Sequence, residues 1–209
     1  MAVTILGAGN VGTALARGLV AAGESVVFGV PDPARHRDTV AAIGPRARVE
    51  SVDAALHGAA LVILAVPYAA ALEIAAARAD WGHAVLVDAT NPLAPALSGL
   101  LVGTTTSGAE EIARRARNAR VVKAFNTTGA ENLGDPRRGT GGLFLPVAGD
   151  DVDARTQVLA LARSLGFDAV DAGPLAAARQ MEPFALLWID LALRRGLGRD
   201  FALVRLSEG

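Results

Sequence analysis

The sequence predicts an α/β protein with a doubly wound, mainly parallel β-sheet of about eight strands and an apolar C-terminal helix. A glycine-rich turn, GAGNVG at residues 7–12, separates an apolar segment from a helix-forming one. Residues 60–66 (ALVILAV) form a continuous apolar run, typical of a parallel strand buried on both faces. Strand and helix segments also alternate along the chain, as they do in parallel sheets.

The first half of the chain contains five predicted strands, at residues 3–6, 25–30, 47–50, 60–66 and 84–88. Helices are predicted between them, from residue 13 to about 21 and over 34–43, 51–57 and 67–81. Ser51 is expected to cap the third of these helices, because its hydroxyl can accept a bond from a free backbone N–H.

The second half continues the alternation. The predicted elements are a helix over 106–118, a strand over 120–125, a turn and short helix over 126–133, a glycine-rich loop over 134–142, a strand over 143–148, a helix over 150–165, a strand over 167–171 and a closing helix over 174–195. No linker interrupts this pattern, so residues 1–209 are predicted to form a single domain with an extended sheet.

Composition excludes several classes of protein. With 209 residues, of which 52% are hydrophobic, the chain can bury a sizeable core. A net charge of −1 argues against binding nucleic acid or a membrane surface through bulk positive charge, and the lack of cysteine excludes disulfides and thiol chemistry. The N-terminus has no basic signal-like region, and the uncharged apolar run at residues 58–72 is too short to span a membrane. A soluble, cytoplasmic protein is therefore expected.

The spacing G-x-G-x-x-G in the first turn predicts dinucleotide binding of the Rossmann type. Gly7 lets the chain turn off the strand, Gly9 lets the backbone approach a pyrophosphate, and Gly12 lets the helix pack closely on the sheet. The free N–H groups at the start of the helix then face the phosphates. The alternative is a glycine-rich turn in some other α/β fold.

The end of the second strand bears on the choice of dinucleotide. An NAD-specific fold usually has a carboxylate there for the ribose, whereas this strand ends at Val30. Asp32 lies further on in a Pro-Asp-Pro turn, followed by Arg35 and Arg37. The missing carboxylate and the nearby cations favour NADP(H). The alternative is that Asp32 reaches the ribose of NAD and that the arginines are solvated.

Five motifs carry a resemblance to a known family. They are LGAGNVG (residues 6–12), VPY (66–68), KAFNTTGAENL (123–133), VAGDD (147–151) and DAGPL (171–175). In this order and spacing the sequence resembles the NADP-dependent oxidoreductases of coenzyme F420, a 5-deazaflavin. The cytosolic domain of the six-transmembrane ferric reductases shares the fold of that family. The resemblance covers nearly the whole chain.

The resemblance implies a set of cofactor-binding residues. Ala8 to Val11 would lie on the pyrophosphate, and Val30 and Arg35 would lie at the 2′-phosphate. With the glycines and the ends of the fourth and sixth strands included, the predicted cofactor-binding residues are Gly7, Ala8, Gly9, Asn10, Val11, Gly12, Val30, Arg35, Val66, Pro67, Tyr68, Leu72, Leu93, Asn126 and Ala130.

Two departures from the family pattern leave alternatives open. Many members have Ser-Arg directly after the second strand, where this chain has Val30-Pro31. Asn126 stands where deazaflavin reductases of the family have histidine. The first departure leaves NAD as an alternative to NADP, and the second leaves open whether the second redox cofactor is coenzyme F420, FMN or FAD.

No constellation for acid–base, nucleophilic or metal catalysis is present. The three histidines lie on separate elements without ligand spacing, so no metal is expected, and Lys123 inside the sixth strand is interpreted as a structural cation. Hydride transfer between two bound cofactors needs only position and electrostatics from the protein. Asn91 and Asn126, at adjacent strand ends, are the candidates to position a ring. The alternative is that each asparagine merely ends its strand.

The predicted function is therefore an NADP(H)-dependent oxidoreductase that transfers hydride between nicotinamide and a flavin-like carrier, with no catalytic side chain. The alternatives are a reductase of a small imine or carbonyl compound and a non-catalytic NAD(P)-binding sensor. The related imine and carbonyl enzymes place a long helical domain after the nucleotide-binding half, and this chain stops too soon for one.

The closing helix is apolar nearly all round in its second half. Such a helix is either central to a core or buried against a partner. We expect a homodimer through this helix, with Phe184, Leu187, Trp188 and Leu191 in the contact. The alternative is that the helix packs wholly on its own sheet.

Overall fold

The computed structural model describes residues 2–138 and 141–206, with an eight-stranded sheet at its centre. The strands are β1 (Ala2–Leu6), β2 (Ser25–Val30), β3 (Ala47–Ser51), β4 (Leu61–Leu64), β5 (Val85–Asp88), β6 (Arg120–Lys123), β7 (Arg137–Arg138), β8 (Gly141–Gly142), β9 (Phe144–Gly149) and β10 (Asp168–Asp171). Their order across the sheet is β10-β9-β6-β5-β4-β1-β2-β3, and β7 and β8 form a separate hairpin.

The sheet is parallel except at one junction. All neighbours pair in parallel but for β9, which runs antiparallel to β6. The predicted mainly parallel sheet of about eight strands is thus confirmed. The chain moves outward from β1 to β3 on one side and returns to β4 on the other, so the order reverses between β1 and β4. Open parallel sheets bind ligands outside the carboxyl ends of their strands at such a reversal.

Eight α-helices connect the strands in the described part of the chain. They are α1 (Asn10–Ala21), α2 (Arg37–Ala41), α3 (Val52–Leu56), α4 (Tyr68–Ala77), α5 (Gly108–Arg115), α6 (Ala130–Leu133), α7 (Val152–Ser164) and α8 (Ala178–Leu193). Short 3₁₀ helices lie at Pro33–His36, Pro95–Leu97 and Leu175–Ala177. None of the described helices has the length and apolar character needed to cross a membrane.

The core lies in two layers, one on each face of the sheet. Successive residues of a strand face opposite sides, so Ile5 of β1 packs with Leu15 of α1 on one face, while Leu6 packs with Ile112 of α5 on the other. Both faces are covered by helices, which explains why the central strands are apolar without alternation.

Three segments differ from the sequence prediction. The helix predicted over 34–43 is divided into the 3₁₀ helix Pro33–His36 and α2, because the backbone of His36 leaves the helical range, with φ of −112° and ψ of 1°. The loop predicted over 134–142 contains the β7–β8 hairpin, and its residues 139–140 lie outside the described residues. The closing helix begins at Ala178 rather than at Pro174, after a 3₁₀ turn.

Helix α8 divides its apolar residues between two faces. Met181, Ala185 and Trp188 are buried in the chain itself. The Trp188 ring stacks on Phe201 of the following segment at 5.1 Å, and its Nε1 donates to the Phe201 carbonyl at 3.2 Å. On the other face Leu187 is 57% exposed. The expected place of Trp188 in an intermolecular contact is therefore wrong, because Phe201 of the same chain stacks on its ring.

Candidate cofactor-binding site

The glycine turn after β1 is tightly constrained at its first position. Gly7 has a left-handed backbone with φ of 104°, and its N–H donates to the Gly29 carbonyl of β2 at 3.1 Å. A Cβ at this position would lie 2.5 Å from the Ala65 carbonyl oxygen. Only glycine fits between β2 and the end of β4 here.

The other two glycines have opposite surroundings. A Cβ on Gly12 would lie 2.1 Å from the Gly7 carbonyl oxygen, so α1 can approach the turn only without a side chain there. A Cβ on Gly9 would meet nothing within 4 Å. Gly9 thus borders open space directly in front of α1, where the sequence places a pyrophosphate.

The start of α1 presents unpaired backbone donors to that space. The first intrahelical bond runs from the Thr13 N–H to the Gly9 carbonyl at 2.9 Å, so the amides of Asn10, Val11 and Gly12 precede the hydrogen-bonded ladder. The first turn carries no acidic side chain. These donors and the positive end of the helix dipole suit a phosphate.

A crevice of about 270 Å³ continues from the start of α1 across the reversal point. Its lining residues are Asn10, Val11, Ala65, Val66, Pro67 and Ala89. The structure thus brings four predicted cofactor residues from two distant segments to one cavity. No ionisable side chain is among these described lining residues.

Four other predicted residues lie outside that lining. Tyr68 is only 9% exposed and packs in the core layer of α4 and α5, and its burial raises the pKa of Tyr68 to about 12. Its phenol therefore stays protonated at neutral pH and cannot act as a general base. Leu72 packs against the same layer, Leu93 pairs with Leu100 in a β-bridge, and Ala130 begins α6. Their contacts with a cofactor remain predictions.

The segment after β2 contains the two candidates for contact with the ribose or its 2′-phosphate, Asp32 and Arg35, and their surroundings differ. Val30 is 2% exposed, so its side chain belongs to the core. The Asp32 carboxylate accepts the Ala34 N–H at 3.1 Å and caps the following 3₁₀ turn. Arg35 is exposed and makes no ion pair in the described part of the chain. The carboxylate already has a structural role, whereas the guanidinium is available to an anion.

Asn91 and Asn126 form a pair at the carboxyl ends of β5 and β6. Asn126 Nδ2 donates to Asn91 Oδ1 at 3.0 Å and to the Met181 carbonyl at 3.4 Å, while Asn91 Nδ2 donates to the Asn126 carbonyl at 3.0 Å. Because two partners are backbone carbonyls, the orientation of both amides is fixed. Asn126 Oδ1 is left buried without a partner among the described residues.

The backbone before Asn126 is strained. Phe125 has φ of 63°, a left-handed conformation that costs a non-glycine residue about 1–3 kcal/mol. The Phe125 ring packs edge-on against Phe167 at 5.8 Å, which helps to hold the bend. The bend ends β6 abruptly and places Asn126 beside Asn91.

A buried ionic network, which we call the charge cluster, lies directly beneath this pair. Its members are Asp88, Lys123 and Glu182, and their side chains are 0–1% exposed. Lys123 Nζ lies 2.8 Å from Asp88 Oδ2 and 3.1 Å from Glu182 Oε1, and it donates to the Thr90 carbonyl at 2.6 Å. The structural role interpreted for Lys123 fits this geometry, since all three ammonium protons have acceptors.

Sequence reasoning missed Glu182. The only signal was a carboxylate within an apolar helical run, and its partners lie far away in the sequence. Among the described residues no group of three or more histidines, cysteines or carboxylates is arranged to hold a metal ion.

The family description "NADP oxidoreductase coenzyme F420-dependent" matches residues 2–92 of this chain. A solved protein from Arthrobacter sp. FB24, provisionally described as an F420-dependent NADP reductase, is 30% identical with a TM-score of 0.84. That match covers 97% of this chain and 99% of the other. A protein of Sinorhizobium meliloti without assigned function is 36% identical with a TM-score of 0.80, covering 87% and 89% of the two chains.

Two further similarities are more partial. The metalloreductase STEAP3 of Rattus norvegicus is 31% identical over 185 residues, which is 88% of this chain, and the match spans only 36% of that protein. A reductive aminase from Aspergillus terreus is 19% identical with a TM-score of 0.67, covering 93% of this chain and 62% of the other. At that identity only the fold is shared.

Proposed function

This chain belongs to the family of coenzyme F420-dependent NADP oxidoreductases, and from that premise we propose that it transfers hydride between NADP(H) and a flavin-like carrier, either coenzyme F420 or a flavin. One observation carries the proposal. The crevice begins at the free amides of α1 and ends at Ala89, two residues before the asparagine pair. The crevice thus runs from a phosphate cradle to a residue that lies close in sequence to a polar side-chain pair.

The fit of a dinucleotide rests on this chain's own atoms. The space at Gly9 admits a pyrophosphate against the α1 amides, and the apolar residues Val11, Ala65 and Val66 suit the face of a nicotinamide ring. Asn126 Oδ1, buried and unpartnered, would accept an N–H from the carboxamide or from the carrier once the ligand replaces the contacts that now cover it.

The absence of ionisable groups among the described lining residues favours hydride chemistry. The bound nicotinamide supplies the hydride, and the protein has to hold two rings in contact at about 3–3.5 Å. Because no ionisable side chain is among the described lining residues, the proton that accompanies hydride uptake by a carrier would come from solvent. Reduction of a carbonyl compound would instead place negative charge on its oxygen and need a proton donor there, and the Tyr68 phenol is largely buried.

The test is an anaerobic mixture of protein, NADPH and one candidate carrier at a time, with NADPH deuterated at the transferred position. We expect oxidation of NADPH with coenzyme F420, FMN or FAD. Deuterium should remain on carbon in reduced coenzyme F420, and it should be lost to water from a reduced flavin, whose accepting atom is a nitrogen. In a parallel mixture with a small imine or ketone in place of the carrier, deuterium in the amine or alcohol product would instead indicate an imine or carbonyl reductase. Binding of NADPH without turnover in any mixture would indicate a sensor.

We also propose a homodimer through the outer face of α8. Leu187 and Leu193 are 57% and 48% exposed, and an apolar groove of about 260 Å³ lies beside Phe184, between α8 and β9. Light scattering at micromolar concentration is expected to give twice the 21.3 kDa of the chain, and Leu187→Glu is expected to give the monomer. Leu101→Glu, at a 60% exposed leucine outside α8, is the control. A monomeric wild type would contradict the proposal.

The cytoplasmic location of the protein also remains a prediction.

A further inference from the structure

We propose that Glu182 is a positioning residue, which holds the Asn91–Asn126 pair in register with the bound nicotinamide and carrier rings. This inference rests on the proposed function and adds a residue from the last helix to the site. Glu182 belongs to the charge cluster, whose groups take no direct part in the proposed hydride transfer.

Glu182 ties α8 to two other elements. Its Oε2 accepts the Gly108 N–H at 2.9 Å, and its Oε1 accepts the Ala109 N–H at 3.1 Å and lies 3.1 Å from Lys123 Nζ. Gly108 and Ala109 are the first two residues of α5, whose free amides form the positive end of that helix. One lysine and one helix end thus balance two buried carboxylates.

The charge cluster is connected to both members of the asparagine pair through neighbouring backbone groups. Lys123 holds the carbonyl of Thr90, which immediately precedes Asn91. Glu182 immediately follows Met181, whose carbonyl accepts from Asn126. A shift of Lys123 therefore moves the residue before Asn91, and a shift of Glu182 moves a hydrogen-bond partner of Asn126, although neither Lys123 nor Glu182 is among the described lining residues of the crevice.

In the described part of the chain, the three groups that bond or pair with the Glu182 carboxylate are all donors: two backbone amides and an ammonium. The glutamate can satisfy all of them only as a carboxylate, with two accepting oxygens. Glu182→Gln has nearly the same volume, yet it must turn its NH₂ toward at least one donor. The substitution therefore disturbs the charge cluster without creating a cavity.

The matched control lies between the same two helices. Glu110 of α5 accepts from Arg179 of α8 at 2.6 and 2.9 Å, with both groups partly exposed and neither in contact with the charge cluster. Glu110→Gln removes a carboxylate from the same α5–α8 contact but leaves Lys123 and Met181 untouched. A purely structural role of helix docking would give both variants the same kinetics.

The experiment measures single-turnover hydride transfer from NADPH to the carrier, NADPH affinity and the emission of bound NADPH in wild type, Glu182→Gln and Glu110→Gln. For Glu182→Gln we expect hydride transfer to be slowed roughly ten- to a hundredfold, as for a small misplacement of reacting rings. NADPH affinity should change by less than about threefold, since the phosphate cradle is remote. Emission of the dihydronicotinamide should shift. Glu110→Gln should match the wild type in all three.

Wild-type rates and emission in a folded Glu182→Gln variant, or equal effects in both variants, would overturn the inference. If Glu182→Gln does not fold, Glu182→Asp decides, because it keeps the charge but shortens the reach to α5, and it should slow transfer in the same direction. If the wild type reduces no carrier, the proposed function fails, and the emission of bound NADPH alone tests the positioning role of Glu182.

Discussion

Replacing Gly9 by valine is expected to abolish dinucleotide binding while the protein remains folded. A Cβ here meets no protein atom within 4 Å, so the branched side chain would fill the space in front of the α1 amides. Displacing a phosphate from two charge-assisted hydrogen bonds costs about 3–6 kcal/mol. That loss corresponds to a roughly hundredfold to ten-thousandfold weaker affinity, measurable by calorimetry with NADPH.

Gly12→Ala separates a loss of binding from a loss of fold. Its Cβ would lie 2.1 Å from the Gly7 carbonyl oxygen, so this smaller substitution should lower the melting temperature. Gly9→Val should leave that temperature nearly unchanged. Unaltered NADPH affinity in folded Gly9→Val would place the pyrophosphate elsewhere.

The second large effect is expected at Arg35. A charge-assisted bond from its guanidinium to a 2′-phosphate is worth about 1.5–3 kcal/mol, or roughly a tenfold to hundredfold preference for NADPH over NADH. Arg35→Ala should weaken NADPH by about that factor and leave NADH nearly unaffected. The preference should also shrink with added salt, since the side chain is exposed.

Arg48→Ala is the control for general surface charge. Arg48 is an exposed arginine on the neighbouring strand β3 and already pairs with Glu50 at 2.7 Å. Its removal should alter NADPH and NADH binding equally and slightly. Equal affinity of the wild-type protein for the two dinucleotides would make Asp32 the ribose ligand and contradict the role of Arg35.

Local sequence signals predicted most of the fold. The strand predicted over 25–30 is β2 as observed, and Ser51 caps α3 by accepting the Ala54 N–H at 3.3 Å. The family resemblance read from the five motifs is confirmed. Such features depend on residues close in the chain, where apolar periodicity and turn chemistry suffice.

The contacts between distant residues were not predictable in this way. Glu182 lies 74 residues from Gly108, and apolar periodicity says which face of a helix is buried but not which donors it meets there. Trp188 was misassigned for a similar reason. The segment that covers it, around Phe201, is irregular and has no periodic pattern to reveal that it folds back.

The residues of the charge cluster lie far apart in the sequence, so Glu182 is synthesised much later than the residues of the predicted dinucleotide cradle. The dinucleotide cradle is built from β1, α1, β2 and the end of β4, so its parts leave the ribosome within the first third of the chain. Glu182 is made more than a hundred residues after Gly9. A nascent chain therefore contains the residues of the proposed dinucleotide cradle before it contains Glu182, the proposed positioning residue.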